Sequence, residues 1–442
     1  MRNFSILDTD LYKFTVSYAY MKMFPDAECT FTYTDRNKVK RTEQFLEKYK
    51  KALNSLSNIQ LTDQEFYWLV TSGKVDFIPM YYWEWLKTFR FDPSKINCYL
   101  DDDSVLHVDV TDKCYKCTLY EIPVLYLVPE ISNEGKEINW DMTIGRLMEK
   151  INLANKEKVM FSEFGTRRRF NHDVQDKVCK YLKEWSNTCV GTSNVYFAMK
   201  YDMKPIGTHP HEWFMFHGAQ YGYDKANYLA LENWSTVYDG DLGIGLSDCY
   251  GVDLFFHDFS LKLAKLFDGV RQDSGDEYEF IDKTLAFYMS KGIDPMTKTI
   301  VFSNALDFPK AVEIKKYCEN KIKASFGIGT NLTCDVYDNY GNKYGHENEV
   351  MKMSWCRMTN KEIFKPCVKL SDDFGKATGL QEEIQYCKYK VNQILRGLYD
   401  NYSNKYGHEN EVIKMSWSRM TNKEIFKPCI KLSDDFGKAT GL

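Results

Sequence analysis

Gly207-Thr-His-Pro-His-Glu-Trp213 compresses a strand end, a tight turn, two imidazoles and a helix start into seven residues. The approach, Tyr201-Asp-Met-Lys-Pro-Ile206, ends in a β-compatible pair, and Glu212-Trp-Phe-Met-Phe216 opens an apolar run suited to a helix. His211 therefore falls at a strand-to-helix turn, where backbone N–H groups are free and the helix dipole favours an anion, so a phosphorylated imidazole would be stabilised there. Two other readings stand beside this one. His211 can be a structural histidine at a helix start, and His209-x-His211 has the spacing of a metal chelate at a strand end.

Working outward, the same unit recurs from about Val159: a short apolar strand, a polar or glycine-rich cluster, then an amphipathic helix. The clusters are Phe164-Gly-Thr-Arg-Arg-Arg169, Gly191-Thr-Ser-Asn194, Gly207-Thr-His-Pro-His211, Leu246-Ser-Asp-Cys-Tyr-Gly251, Asp268-Gly-Val-Arg-Gln-Asp-Ser-Gly275, Phe302-Ser-Asn-Ala-Leu-Asp307 and Phe326-Gly-Ile-Gly-Thr-Asn331. Strands alternating with helices predict a parallel sheet closed into a barrel, with functional groups at the strand C-termini. A doubly wound open sheet would gather its chemistry at one switch point instead.

The chain has 442 residues, 44% of them hydrophobic, enough for two domains or one large barrel with additions. A net charge of −4 and a pI near 6.1 give no basic field for nucleic acid or anionic lipid, so local arginines must hold any phosphate. Met1-Arg-Asn-Phe-Ser-Ile6 lacks the apolar core of a signal peptide, and the best apolar run, Ile122–Val128, is too short to span a bilayer; both predict a cytoplasmic protein. Thirteen irregularly spaced cysteines read as reduced thiols. The one suggestive pair, Cys114-x-x-Cys117, sits in a segment read as a strand, Lys113 to Tyr120, where residues three apart face opposite sides.

Residues 1–150 mix short aromatic strands and helices and read as a separate α/β layer; 151–335 form the barrel unit; after Leu332 the texture becomes lysine-rich and strand-like. Asn342–Leu380 recurs 62 positions later as Asn404–Leu442, differing only at Met351/Ile413, Cys356/Ser418 and Val368/Ile430. Solenoid repeats are shorter, more numerous and more diverged, so this is a recent tandem duplication or an artefact of the recorded sequence.

Three features carry chemistry. Phe164–Arg169 puts guanidinium groups after a strand, where they fork onto carboxylate or phosphate oxygens. Asp268–Asp276 combines Arg271 with carboxylates and glycines, which suits a Mg²⁺-bearing polyphosphate. Gly327-Ile-Gly-Thr-Asn331 offers backbone N–H groups and a hydroxyl to a phosphate monoester after the last barrel strand. The P-loop pattern is absent, so any ATP is held otherwise.

From Thr9-Asp-Leu-Tyr12 to Lys369-Leu-Ser-Asp372 and Gly375-Lys376, these motifs in their order resemble the nicotinate phosphoribosyltransferase family. The resemblance implies ATP-coupled synthesis of nicotinate mononucleotide and pyrophosphate from nicotinate and phosphoribosyl pyrophosphate. It also implies an irregular α/β barrel of the type II phosphoribosyltransferase kind, with a flanking α/β domain completed by 336–403, and a homodimer with shared active sites. By the same resemblance His211 is the histidine that ATP phosphorylates, in a motif usually written G-T-x-A-H-E-W; here Pro210 replaces the alanine and His209 is an extra imidazole. Phe164 would stack on the pyridine, with Tyr12 arriving from the other subunit. Arg167 would meet the nicotinate carboxylate or the ribosyl phosphates, and Asp248 the base or ribose. Arg271 and Asp273 would lie near ribose and Mg²⁺–pyrophosphate, and Gly329 with Thr330 near the 5′-phosphate. Ser193 and Thr208 join the substrate-binding set. ATP and Mg²⁺ are the implied cofactors, with no metal site of the protein's own.

Relatives that use nicotinamide carry an acid after the second barrel strand, where this chain has Gly191-Thr-Ser193. A metal-dependent barrel hydrolase would need further histidines at other strand ends, and a non-catalytic relative would not need Arg271, Asp273 and His211 together.

Overall fold

The computed structural model describes residues 4–207, 209–373 and 375–406, together with two strands at 413–418 and 427–432. Its N-terminal part contributes β1 (Glu28–Asp35), β2 (Ile96–Leu100) and β3 (Leu106–Lys113). Six short strands follow: β4 (Phe161–Glu163), β5 (Cys189–Thr192), β6 (Ile244–Leu246), β7 (Gly269–Gln272), β8 (Thr299–Phe302) and β9 (Lys323–Ile328). Then come β10 (Glu349–Arg357), β11 (Lys365–Pro366), the helix Gln381–Tyr406, β12 (Ile413–Ser418) and β13 (Lys427–Leu432).

β4 to β9 form one parallel sheet in the order β5-β4-β9-β8-β7-β6. The neighbours run cyclically, as in a ring cut once, and not outward from a switch point. The cut lies between β5 and β6, so the ladder is open and the expected closed barrel is not formed. The physical reason is the approach to His211. Tyr201–Ile206 was expected as a strand, but it makes only an isolated parallel bridge, Thr192 with Pro205, because proline has no N–H to carry a ladder onward.

β10 pairs antiparallel with β1 from Glu28↔Arg357 to Asp35↔Glu349, so the C-terminal segment completes the N-terminal sheet, whose order is β11-β10-β1-β3-β2. Between the two sheets runs the helix Leu11–Met23, buried along most of its length, with Tyr20 packed edge-on against Trp213 at 5.1 Å and Phe216 at 5.3 Å. This packing joins the His211 helix to the Leu11–Met23 helix.

Cys114–Cys117 is a helical turn, not a strand. Cys114 N makes one last sheet-like bond to Ala27 O (2.8 Å), and the chain then coils against the Leu11–Met23 helix, with Ser17 Oγ donating to Tyr115 O (2.5 Å). Helical spacing buries both thiols on one side, and burial pushes Cys114 up to about 11, an inert protonated thiol. All described cysteines are free.

The first copy of the duplication supplies β10 and β11. Of the second copy, the end of the long helix and strands β12 and β13 are described, and the rest lies outside the described residues. The pairing register repeats: Trp355↔Pro366 and Cys356↔Lys365 in the first copy, Trp417↔Pro428 and Ser418↔Lys427 in the second.

Candidate active site

The clusters that follow the parallel strands meet at the C-terminal end of the sheet. β6 delivers Asp248, β7 delivers Arg271 and Asp273, β8 delivers Ser303, and His211 opens the helix His211–Tyr221. Asp248 is fully buried and accepts from three donors: His211 Nε2 (2.7 Å), Ser274 Oγ (2.8 Å) and Lys369 Nζ (2.9 Å). Burial works against its charge, but Lys369 and then His211 outweigh it and hold the carboxyl well below the usual range. An ionised Asp248 accepts the Nε2–H of His211, which leaves the Nδ1 lone pair as the ring's nucleophilic atom. Burial and the Lys369 charge push His211 down to about 4, against the opposing pull of Asp248, so the imidazole is neutral near pH 7.

Asp273 lies 3.7 Å from His211 Nε2 and is held by Arg271 Nη2 (2.7 Å) and Ser303 Oγ (2.5 Å). Arg271 Nε in turn donates to Ser303 Oγ (2.8 Å). Burial opposes ionisation of Asp273, yet the Arg271 guanidinium holds it far below the ordinary carboxylate value. His211, Asp248 and Asp273 could share a cation by distance. The Lys369 ammonium already lies 2.9 Å from Asp248 and 3.9 Å from Asp273, and Arg271 neutralises the latter. Asp273 is the more accessible of the two carboxylates.

His209 is not part of that trio. It is buried, and its Nε2 lone pair accepts from Leu246 N (3.0 Å), which puts the ring proton on Nδ1 and leaves neither nitrogen with a lone pair for the chelate that His209-x-His211 suggested.

Across the site, Phe164 follows β4, with its N–H on Ile328 O (2.8 Å). A Cβ on Gly327 would meet the Phe164 ring at 3.4 Å, and one on Gly329 would lie 2.8 Å from Phe164 O, so these glycines permit the close approach of the two strand ends. Gly329 and Thr330 are both half-buried. The three arginines separate by role. Arg169 is fully buried and forks onto Asp8 at 2.7 and 2.8 Å, Arg168 Nε donates to Glu349 O (3.0 Å), and Arg167 remains partly exposed, 3.7 Å from Glu121. Glu121 is itself paired with Lys13.

Tyr12 lies beside Arg167 and Gly207 of its own chain: a Cβ on Gly207 would come within 2.9 Å of Tyr12 N, and Arg167 is among the charges acting on the phenol. Ser193 is buried and donates to Asp10 Oδ1 (2.6 Å). This contact brings an acid to a segment that has none in sequence, and burial raises the Asp10 pKa. Thr208 lies outside the described residues.

Several site residues had no assigned role in the sequence. Lys369, Ser274 and Ser303 sat inside motifs already noted. Lys352, on β10, is pushed down to about 7 by burial and by Arg167. The available signal was a lysine embedded in an apolar strand, Val350-Met-Lys-Met353 and Cys367-Val-Lys-Leu370, which is unusual unless the amine meets a charge.

The model of the nicotinate phosphoribosyltransferase (NAPRTase) family matches residues 159–403, ending just before the second copy begins at 404, and that of its N-terminal domain matches 7–129. The nicotinate phosphoribosyltransferase of Methanosarcina acetivorans is 40% identical over 405 residues, covering 88% of this chain and 98% of that protein. That of Chromohalobacter salexigens is 39% identical over 388 residues, covering 87% and 97%. Among solved structures, the nicotinate phosphoribosyltransferase of Porphyromonas gingivalis superposes with a TM-score of 0.85 at 43% identity, covering 88% of this chain and 99% of that one. The Vibrio cholerae enzyme gives 0.81 at 31%, covering 89% and 94%. With the model spanning more than half of the chain and these relatives matched almost end to end, the chain belongs to the nicotinate phosphoribosyltransferase family.

Proposed function

We propose that the chain transfers the phosphoribosyl group of phosphoribosyl pyrophosphate to nicotinate, giving nicotinate mononucleotide and pyrophosphate in NAD salvage, and that ATP drives the transfer by phosphorylating His211, with release of ADP and phosphate. The observation that carries the coupling is the His211–Asp248–Lys369 chain. A neutral imidazole, oriented through Nε2 by a carboxylate that a lysine keeps ionised, has its Nδ1 lone pair ready for a phosphoryl group.

The glycosidic step needs no general base, because the pyridine nitrogen is the nucleophile. Departure of pyrophosphate leaves an oxocarbenium-like centre, so the protein's contribution is positioning, charge neutralisation and exclusion of water. Arg271 and Asp273, locked by Ser303, are read as ribose and pyrophosphate contacts. Mg²⁺, arriving with the substrate phosphates, supplies further neutralisation; Asp273 is the residue that fits it, since Asp248 is taken by three donors. Phe164 is read as the stacking face, Gly329 and Thr330 as the 5′-phosphate contact, and Arg167 as the partner of the substrate's carboxylate. The cyclic strand order supports an irregular barrel of the type II phosphoribosyltransferase kind. A cytoplasmic homodimer with shared sites remains part of this reading. Among the described residues no helix is long and apolar enough to cross a membrane.

The test is the conversion of nicotinate to its mononucleotide, with nicotinamide and no-ATP controls. ATP-stimulated turnover of nicotinate and little of nicotinamide is expected; equal use of both, or no effect of ATP, would sink the reading.

A further inference from the structure

The cut in the parallel sheet has to be managed somewhere. Leu246 ends β6, whose other neighbour is β7, and a buried N–H on the open side of an edge strand needs a partner. Among the described residues no strand provides one. Leu246 N donates instead to His209 Nε2 at 3.0 Å. On the other edge, Ile206 N donates to Thr192 O of β5 at 2.9 Å, so the chain leading to His211 spans both edges of the cut.

The contact belongs to a closed circuit. Two residues beyond His209 stands His211; two residues beyond Leu246 stands Asp248; and His211 Nε2 meets Asp248 Oδ1 at 2.7 Å. Two short segments are thus tied by two rungs, one structural and one chemical. Sliding β6 against 209–211 would strain both at once.

We propose that His209 is a positioning residue: its Nε2 bond to Leu246 N fixes the end of β6 against the 209–211 segment and thereby sets the His211–Asp248 contact on which phosphorylation depends. Because a backbone N–H can only donate, the proton of the neutral ring must lie on Nδ1, which has no described protein partner. Packing against Phe214 (5.1 Å) and Trp234 (4.9 Å) holds the ring in place, and burial, then Arg271 and His211, pushes its pKa to about 3, so it stays neutral and keeps accepting. The inference rests on the phosphohistidine reading only for its consequence, not for the bond itself.

Two substitutions separate the bond from the packing. His209→Phe keeps a ring between Phe214 and Trp234 but removes the acceptor; His209→Gln removes the ring but can place an amide oxygen near Nε2. Hydrogen–deuterium exchange at the Leu246 amide is expected to accelerate at least tenfold in His209→Phe and to recover largely in His209→Gln. The rate of acid-labile phosphate formation on His211 should fall on the order of tenfold in His209→Phe, with the KM for ATP little changed, and be partly rescued by glutamine, since a small misplacement of a reacting group is costly. A His209→Phe protein that matches wild type in both readouts, or a glutamine variant worse than phenylalanine, would overturn the proposal. If the variants do not fold, ¹⁵N-histidine NMR of the wild type decides. His209 is expected as the Nδ1–H tautomer without titration from about pH 5 to 9, and an Nε2–H tautomer overturns the bond. Absence of phosphate on His211 in wild type would defeat the functional reading alone, because the exchange and tautomer measurements do not use it.

Discussion

At His211 the two ring nitrogens are unequal, and the inequality comes from three segments that are far apart in sequence. Asp248 accepts the hydrogen bond from Nε2–H, Lys369 keeps Asp248 charged, and the lone pair stays on Nδ1. His211→Ala is expected to abolish ATP hydrolysis and the ATP-driven gain while leaving slow phosphoribosyl transfer, because the imidazole does not touch the bond that breaks. Parallel assays of ADP and mononucleotide check this, and equal loss of both activities would remove the assignment. The lowered pKa has a definite sign. Between about 6.5 and about 4 the unfolded chain binds a proton at this position that the folded chain does not, so the stability it contributes is complete above about 6.5 and is lost as pH falls toward about 4. Phosphohistidine formation should therefore persist at about pH 5.5, where a free imidazole is mostly charged. Initial rates across pH 5 to 8 test it, and a midpoint near the free-imidazole value would contradict a buried neutral ring. Arg271→Ala and Asp273→Ala should each weaken transition-state stabilisation by ~3 kcal/mol, read as kcat/KM, with little change in Tm. Unfolding of either variant at ordinary temperature would make the pair structural.

At the scale of elements, short strands matter less for their own stability than for where their ends point. β4 and β9 are in register from Phe161↔Phe326 to Glu163↔Ile328, and the chain beyond them crosses so closely that only glycine fits at 329. Gly329→Ala puts a methyl 2.8 Å from Phe164 O. The backbone must give way, at a cost of about 1–3 kcal/mol, and both Phe164 and Thr330 move with it. A lowered Tm together with a raised KM for phosphoribosyl pyrophosphate is expected; an unchanged KM would show that the 5′-phosphate is held elsewhere.

For the whole molecule, the decisive fact is that the two sheets share one site. β10, from the first copy of the duplicated segment, pairs with β1 and carries Lys352, and the same copy brings Lys369 to Asp248. The second copy repeats the hairpin register, so the pattern Trp-x₁₀-Pro that sets it is local to the segment, but its strands pair with each other and not with β1. Loop closure favours the first copy only slightly, since its entropic cost grows slowly with length. The helix after Leu380, which docks through Ile384, Cys387 and Val391, favours it more. Truncation after Ser403 should keep full activity and improve solubility, whereas deletion of 342–380 should give poorly folded or swapped material. Activity and gel-filtration profiles of the two proteins decide, and loss of activity on truncation would show that the copies had been assigned the wrong way round.

The sequence by itself determined the alternation of strand, cluster and helix, the place of His211 at a helix start, and the family, because these depend on residues close together or on motifs in a fixed order. Side-chain partnership was beyond it. Three consecutive arginines read alike, yet Asp8 claims Arg169 from 161 positions away while Arg167 is left partly exposed. Cys114–Cys117 looked extended until packing against the Leu11–Met23 helix coiled it. The barrel looked closed until a proline and an imidazole took the place of a strand at its seam. Only the tertiary structure decided these points, because a buried charge or a buried N–H is settled by whichever partner the fold brings within about 3 Å, wherever that partner stands in the chain.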